Sequence, residues 1–527
     1  MFESTDKYAE LIATLIRIGA ALSSEKNPDK LLKLILASAM ELTNADGGTL
    51  YLVENEVNLK FAIIANNTLK IKPMTAADAK LPINSLPLYI DNEPNLKNVA
   101  TYCYHKNETI NIEDAYNDKA FDFIGMKNTD AKLGYQSRSF LTIPLRDHEN
   151  TRIGVLQLIN AIDEETGKVI PFSKERLQVA ESLASQAAIT LTKEKLILAQ
   201  KKLFEAFLEL IARAIDEKSQ HTSNHCKRIP VITNMIADAI NNVNEGALRD
   251  LHFTADEREE LNVAAWLHDC GKIVTPEHVM NKSTKLETIF DRIEVINTRF
   301  EIIKRDLKIK YLEKLLAEGE KQADKLRAEY DSQLSAINEA QAYINKANTG
   351  GEFLSDDDKK RIRDIGTMNI FSDGEQEKPL LSDKEIANLS IARGTLNDEE
   401  RQIIQNHVKI THSMLSSLPY PDYLKRVPEI AGSHHERLDG KGYPRGINKS
   451  TLSMQARIVA IADVFEALTS ADRPYKTAKT LKEVLGLMND MRNAGHIDPD
   501  IYDLFIREKL YLVYAKKYLL PEQIDVD

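Results

Sequence analysis

Three cysteines in 527 residues are too few to staple a fold. Cys103, Cys226 and Cys270 have no paired spacing, which fits a reducing compartment better than a disulfide framework. Long apolar runs are absent: none approaches the ~20 residues needed to cross a bilayer, so no membrane association is expected. The N-terminus carries Glu3, Asp6 and Glu10 and lacks the basic start and apolar run of a secretory signal. A cytoplasmic protein is expected. Positive charge is also scarce, with 69 Lys and Arg against 80 Asp and Glu and a net charge of −11. No basic cluster is long enough to line a nucleic-acid groove. That argues against a polymeric nucleic acid as main partner, whereas a small anionic ligand needs only local positives.

The remaining composition, 43% hydrophobic and 28% charged, is that of an ordinary globular protein, and the length allows about three domains. Residues 1–195 begin with helical periodicity through Leu11, Leu15, Ile18 and Leu22, then Leu31, Ile35 and Ala39. After Asp46-Gly47-Gly48 the pattern changes to alternation, at Thr49–Val53 and Leu59–Ile64. Ser139–Leu145 and Ile153–Ile159 read as a strand pair across the polar turn 147–150. Proline and glycine are both missing from 172 to 229. With Ser173 as N-cap, a helix over 173–215 is expected to connect this part to the next, unless a polar joint near Lys193–Lys195 divides it.

Histidine is unevenly spread. Of 12, all but His105 and His148 lie after residue 220. Residues 434–444 read His-His-Glu-Arg-Leu-Asp-Gly-Lys-Gly-Tyr-Pro. Neighbours on a helix point about 100° apart, so both imidazoles reach metal only if it lies between them, as at a helix end or a site with several ions. Gly440 and Gly442 free the backbone and Pro444 fixes it again. His268-Asp269 ends an apolar helix in Ala-Trp-Leu-His-Asp-Cys-Gly-Lys. His225 follows His221 by four residues, on one helical face, and His407 follows Glu399-Glu400 in a helical run. Asp463 interrupts Arg-Ile-Val-Ala-Ile-Ala-Asp-Val-Phe-Glu-Ala-Leu, and a buried acid needs a cation or hydrogen bonds.

This ordered series of motifs resembles the HD-GYP family of the HD phosphohydrolase superfamily over roughly 200–282 and 395–515. It comprises His-Asp-x-Gly-Lys (268–272), Thr-Pro-Glu-His (275–278), His-His-Glu with Asp-Gly-x-Gly-Tyr-Pro, and Ala-Asp-Val-Phe-Glu-Ala-Leu-Thr-Ser-x-Asp-Arg-Pro-Tyr-Lys (462–476). The first part resembles a GAF domain, most clearly in Arg-Ile-Gly-Val-Leu-Gln-Leu-Ile-Asn-Ala (152–161). The signature of cyclic-nucleotide-binding GAF domains is not met, because Ala161 follows Asn160 and Phe172 lacks the Asp-Glu pair. Ligand binding and dimerisation both stay open for it.

The resemblances imply an α+β GAF domain (1–195), the connecting helix (173–215), and an all-α HD-type domain in two parts, 200–285 and 395–527. About 110 residues, 286–394, interrupt the second domain. Apolar residues at 286, 289, 293, 296, 300, 303 and 307, then Leu326, Tyr330, Leu334, Ile337 and Ile344, point to a helical hairpin or coiled-coil arm there.

By resemblance, His225, His268, Asp269, His407, His434, His435 and Asp463 are the metal ligands. Seven exceed what one ion with an open position takes, which implies two divalent ions, Fe or Mn, bridged by Asp269. His221 stands where some relatives have a glutamate for a third ion. Lys272 is implied to act with Asp269 at the reacting centre, and Tyr443, Arg473 and Lys476 to contact substrate phosphate. The implied substrate is a cyclic dinucleotide, chiefly cyclic di-GMP, opened to pGpG under GAF control, with further cleavage to GMP left open. The implied assembly is a homodimer through the GAF and connecting helices. Cyclic GMP–AMP hydrolysis and a non-catalytic cyclic-dinucleotide receptor are the alternatives.

Overall fold

Alternating strand sequences and amphipathic helices separate along the chain, and a computed structural model reflects this in two units, Met1–Phe204 and Glu205–Asp527. It describes residues 2–25, 27–75, 78, 85–218, 224–319, 322–350, 353–372, 376–470 and 478–526.

The first unit opens with α1 (Phe2–Ser24) and α2 (Pro28–Thr43), followed by β1 (Ala45–Glu54), β2 (Asn58–Asn66) and β3 (Ile71–Thr75). Short strands β4 (Leu86–Pro87), β5 (Tyr89–Ile90) and β6 (Glu93–Pro94) lead to α3 (Val99–Lys106), β7 (Ile110–Ile112) and α4 (Ile124–Leu133). Then come β8 (Phe140–Arg146), β9 (Arg152–Ile162) and β10 (Val169–Ile170). The main sheet is ordered β3-β2-β1-β9-β8-β7, with β4 on β2 and β10 on β9. β8 and β9 are the expected strand pair, with Ile143 opposite Leu156. Because successive side chains face opposite sides, Leu50 and Leu156 pack with α1, α2 and the following helix, while Tyr51 and Val155 pack with α3.

That following helix, α5, runs unbroken from Lys174 to Lys218 over 45 residues, about 67 Å at 1.5 Å per residue. No joint divides it at Lys193–Lys195. Among the described residues no helix is long and apolar enough to cross a membrane.

In the second unit α6 (His225–Asn242) and α7 (Ala255–Leu267) precede a 3-10 turn at Cys270–Val274 and α8 (Glu277–Met280). α9 (Ile293–Glu318) and α10 (Ala323–Asn348) form the expected helix pair, followed by α11 (Asp356–Gly366) and α12 (Asp383–Leu389). Between these last two lies a hairpin of β11 (Asn369–Ser372) and β12 (Gln376–Pro379), so the inserted segment is more than a helical arm. Its core gathers Ile296, Phe300, Ile344, Ile362 and Leu380, whereas Leu312 and Leu316 toward the end of α9 stay exposed. The apolar period marked the helices, but not the partners beyond them, such as Ile362 and Leu380, that complete their burial.

The ends of the insertion meet. Lys282 Nζ donates to both oxygens of Glu400 at 2.7 Å, and Thr395 Oγ1 donates to the Lys282 carbonyl at 3.2 Å. Nearby, Lys285 is 1% exposed and donates to the Leu389 carbonyl at 2.9 Å. Burial pushes its ammonium down from 10.5 to about 8. Between those values the unfolded chain binds the extra proton, so this group's contribution to stability rises with pH through that window. Lys285→Met is therefore expected to gain most on wild type below pH 8. The gain should shrink by up to about 3 kcal/mol by pH 10, read from urea unfolding at several pH values. A difference independent of pH would contradict this.

The remaining helices are α13 (Asp398–Ser416), α14 (Val427–Ala431), α15 (Met454–Thr469), α16 (Leu481–Asn493), α17 (Pro499–Arg507) and α18 (Leu510–Tyr518). They pack with α6, α7 and Leu208, Ala212 and Ile215 of α5 around one core.

Candidate metal centre

Each histidine sits where its helix starts, ends or turns inward. Thr254 and Glu257 form a capping box that starts α7, and the buried run Leu261, Ala264, Ala265, Leu267 delivers His268 to its C-terminus. Asp269 then opens the 3-10 turn. A second capping box, Asn397 with Glu400, starts α13 and turns His407, Val408, Thr411 and Leu415 inward. His434 and His435 follow α14 in a turn, the helix-end setting that adjacent ligands need. α15 is buried almost all round, and carries Asp463 and Glu466 within it.

These positions bring His225, His268, Asp269, His407, His434, His435 and Asp463 into one cluster. Asp269 Oδ2 lies 3.1 Å from His268 Nε2 and 3.4 Å from His225 Nε2. Its Oδ1 lies 3.2 Å from His407 Nε2 and 3.8 Å from His434 Nε2. Asp463 faces His225 at 3.3 Å and His435 at 3.7 Å. Three overlapping groups have ligand atoms within 4.8 Å of one another: His407, His434, His435; His225, His268, Asp463; and His268, Asp269, His434. Asp269 is the carboxylate between them.

The outer nitrogens fix the rings. Nδ1 of His268, His407 and His434 bonds the carbonyl three residues back, at 2.8, 2.6 and 2.6 Å. A carbonyl only accepts, so each Nδ1 holds a proton, and in a neutral ring Nε2 then presents its lone pair inward. His225 differs: its Nδ1 meets Glu466 Oε2 at 2.5 Å, and Arg228 meets the other Glu466 oxygen at 3.3 Å. Sequence reasoning did not assign Glu466 or Arg228. The available signal was a second acid three residues after Asp463 on an apolar helix.

Nε2 of His225, His268, His407 and His434 and Oδ1 of Asp269 are buried without a hydrogen-bond partner. Buried polar atoms are otherwise nearly always partnered, and five converging imidazole and carboxylate atoms suit a cation rather than a solvent-free core. The donor set, imidazole with carboxylate, fits divalent first-row metals.

Charge follows from the same contacts. Burial first, then His435 and His268, holds His434 well below the usual imidazole range. Burial brings His435 down to about 4. Burial would raise Asp269 and Asp463, but Lys272 and His268 around the first and His225 and His435 around the second keep both carboxyls ionised. Burial also opposes charge on His225, yet Asp269, Asp463 and Glu466 outweigh it and raise its pKa.

Lys272 Nζ donates to Asp269 Oδ2 at 2.5 Å. Tyr443 stacks at a tilt on His435, centroids 4.9 Å apart, and burial pushes its phenol up so that it stays a donor. The loop carrying it is pinned by buried Glu436, which accepts from Arg445 N at 2.7 Å and Ile447 N at 3.1 Å. Gly440 takes φ +73°, and at Gly442 a Cβ would meet the backbone of Glu436 and Arg437 within 2.7 Å. Three expected site residues, His221, Arg473 and Lys476, lie outside the described residues.

Comparison with known proteins agrees with the two-part reading. A GAF domain model matches residues 27–191 and an HD domain model residues 383–501. A 3'3'-cGAMP-specific phosphodiesterase of Vibrio cholerae is 41% identical over 114 residues, 22% of this chain and 26% of that protein. A cyclic di-GMP phosphodiesterase response regulator of Xanthomonas campestris is 38% identical over 119 residues, 23% and 31%. A cyclic di-GMP phosphodiesterase of Thermotoga maritima is 37% identical over 114 residues, 22% and 30%. The chain spans about a quarter to a third of the length of these relatives. Among solved structures, the GAF domain of an Acinetobacter phosphoenolpyruvate-protein phosphotransferase matches at 16% identity, covering 36% of this chain and 96% of that one, with a TM-score of 0.27. The HD match begins after His225, His268 and Asp269, which the inserted segment separates from the other four residues of the cluster. This chain joins a GAF domain to an HD domain, and the HD domain supplies His407, His434, His435 and Asp463.

Proposed function

We propose that the chain is a metal-dependent phosphodiesterase that opens cyclic di-GMP to pGpG and carries the linear product on to GMP. The observation that carries this reading is the set of five buried, partnerless polar atoms converging from four chain segments. His225, His268, Asp269, His407, His434, His435 and Asp463 would hold two divalent ions, Fe or Mn, with His221 as a candidate for a third. Such a pair supplies an activated water and neutralises the phosphoryl oxygens during in-line displacement.

The chain's own groups prepare for this. Backbone carbonyls and Glu466 orient the imidazoles, since a ligand's outer nitrogen sets its tautomer. Lys272, anchored on Asp269, brings a positive charge to the side where phosphate would lie. Tyr443 offers its phenolic proton, and Arg473 and Lys476 are assigned to the second phosphate. Cyclic GMP–AMP is the second substrate reading, supported by the name of the Vibrio cholerae relative.

The proposal extends to architecture. The HD-type domain comprises 200–285 and 395–527, with 286–394 inserted. Residues 1–195 regulate through α5, whose Leu196, Leu203, Phe207 and Leu210 are exposed and would pair across a homodimer. The three unpaired buried cysteines suit a cytoplasmic setting.

The test is direct: metal-quantified protein, reduced and supplied with Mn²⁺ or Fe²⁺, is incubated with each cyclic dinucleotide. Turnover of neither, at full metal loading, refutes the enzyme. Glu466→Gln should weaken Mn²⁺ binding about 10- to 100-fold while the chain stays folded. Unchanged affinity in a dialysis titration would remove Glu466 from this role.

A further inference from the structure

We infer that Asp216, near the end of α5, is a positioning residue that fixes the start of α6 and thereby His225. This rests on the metal-centre reading above.

His225 is held unlike the other histidines. His268, His407 and His434 each take an Nδ1 partner from the preceding turn of their own segment. His225 opens its helix, and its ring is held by Glu466 on α15. Asn224, at the start of that helix, is left-handed at φ +71° and makes no side-chain cap bond, and first-turn N–H groups need an acceptor from outside the helix.

Asp216 supplies one. It is only 7% exposed, and its Oδ1 accepts from Cys226 N, one residue after His225, at 3.4 Å. A carboxylate is a favoured partner for first-turn amides, both as acceptor and against the helix dipole. Burying an acid on α5, between the core residues Ala212 and Ile215 and the site, has a cost that packing alone does not call for. Two further ties hold this end of the helix. Glu209 pairs with Lys227 at 3.1 Å, and Lys218 Nζ donates to the Ile273 carbonyl, just beyond Lys272. The last three turns of α5 thus touch both segments that carry the early cluster residues. Since α5 begins at Lys174, beside the GAF domain, a rotation or shift of this helix reaches His225 first through Asp216.

The experiment uses the full chain with Asp216→Ala, Asp216→Ser and Asp216→Asn. Mn²⁺ affinity is read by equilibrium dialysis, and amide hydrogen exchange over residues 225–229 in the metal-free protein. Alanine should weaken Mn²⁺ binding about 10-fold and speed exchange at Cys226. Serine, too short to reach the amide, should do the same and serves if alanine does not fold. Asparagine keeps the acceptor oxygen and should stay within about 3-fold of wild type on both readouts. Wild-type affinity in Asp216→Ala or Asp216→Ser, or equal loss in Asp216→Asn, overturns the inference alone. Absence of Mn²⁺ binding in the wild type overturns it together with the metal-centre reading.

Discussion

Asp269→Asn is expected to strip the metal and lower dinucleotide turnover by at least about 10³-fold. Among the described residues Asp269 is the one carboxylate that faces four imidazoles and Lys272 together, between 2.5 and 3.8 Å. Asparagine preserves its size but removes the charge and replaces one oxygen with an N–H donor. That donor would satisfy a neighbouring Nε2 and close the position a cation needs. In the metal-free protein Lys272 and His225 would also lose their counter-charge, a loss of about 3 kcal/mol by analogy with other broken buried pairs. Metal analysis and product chromatography read the first effect, urea unfolding the second. Full turnover by Asp269→Asn would show that the cluster is not the reacting centre.

Gly271→Ala should be strongly damaging for so small a change. Its added methyl would lie 2.1 Å from the His407 carbonyl and 2.7 Å from Thr411 N. These are backbone atoms of α13 that no rotamer change can move aside. The amide of Gly271 also donates to Thr411 Oγ1 at 2.9 Å, so the turn and α13 must part or the bond must break. We expect a loss of about 3 kcal/mol or more, with weaker metal binding as His407 shifts. Gly486→Ala is the contrast: it lies exposed in α16 with nothing within 4 Å, and should gain up to about 1 kcal/mol. Equal stability of the two variants would refute the close-contact argument.

What the sequence made legible follows from the range of each signal. The seven candidate ligands were readable because motifs rich in histidine and aspartate stand out along a chain, and all seven meet in one cluster. Glu466 was missed because its role depends on a partner 241 residues away, and Asp216 because its partner, the amide of Cys226, belongs to the next helix and follows no local pattern. The β11–β12 hairpin was missed for another reason: two four-residue strands within a charged stretch leave no alternation long enough to read. In the first unit the β8–β9 pair was legible because its turn is local. The continuity of α5 was left open, since a pair of lysines at 193 and 195 neither breaks nor guarantees a helix.

The central claim is that seven side chains from five segments of the chain hold two metal ions around Asp269. Anomalous diffraction from crystals grown with Mn²⁺ tests it most directly. The account predicts two peaks per chain about 3.5–4 Å apart, with Asp269 between them, His225 and Asp463 on one side, and His407 and His435 on the other. One peak alone, or peaks away from Asp269, would contradict it.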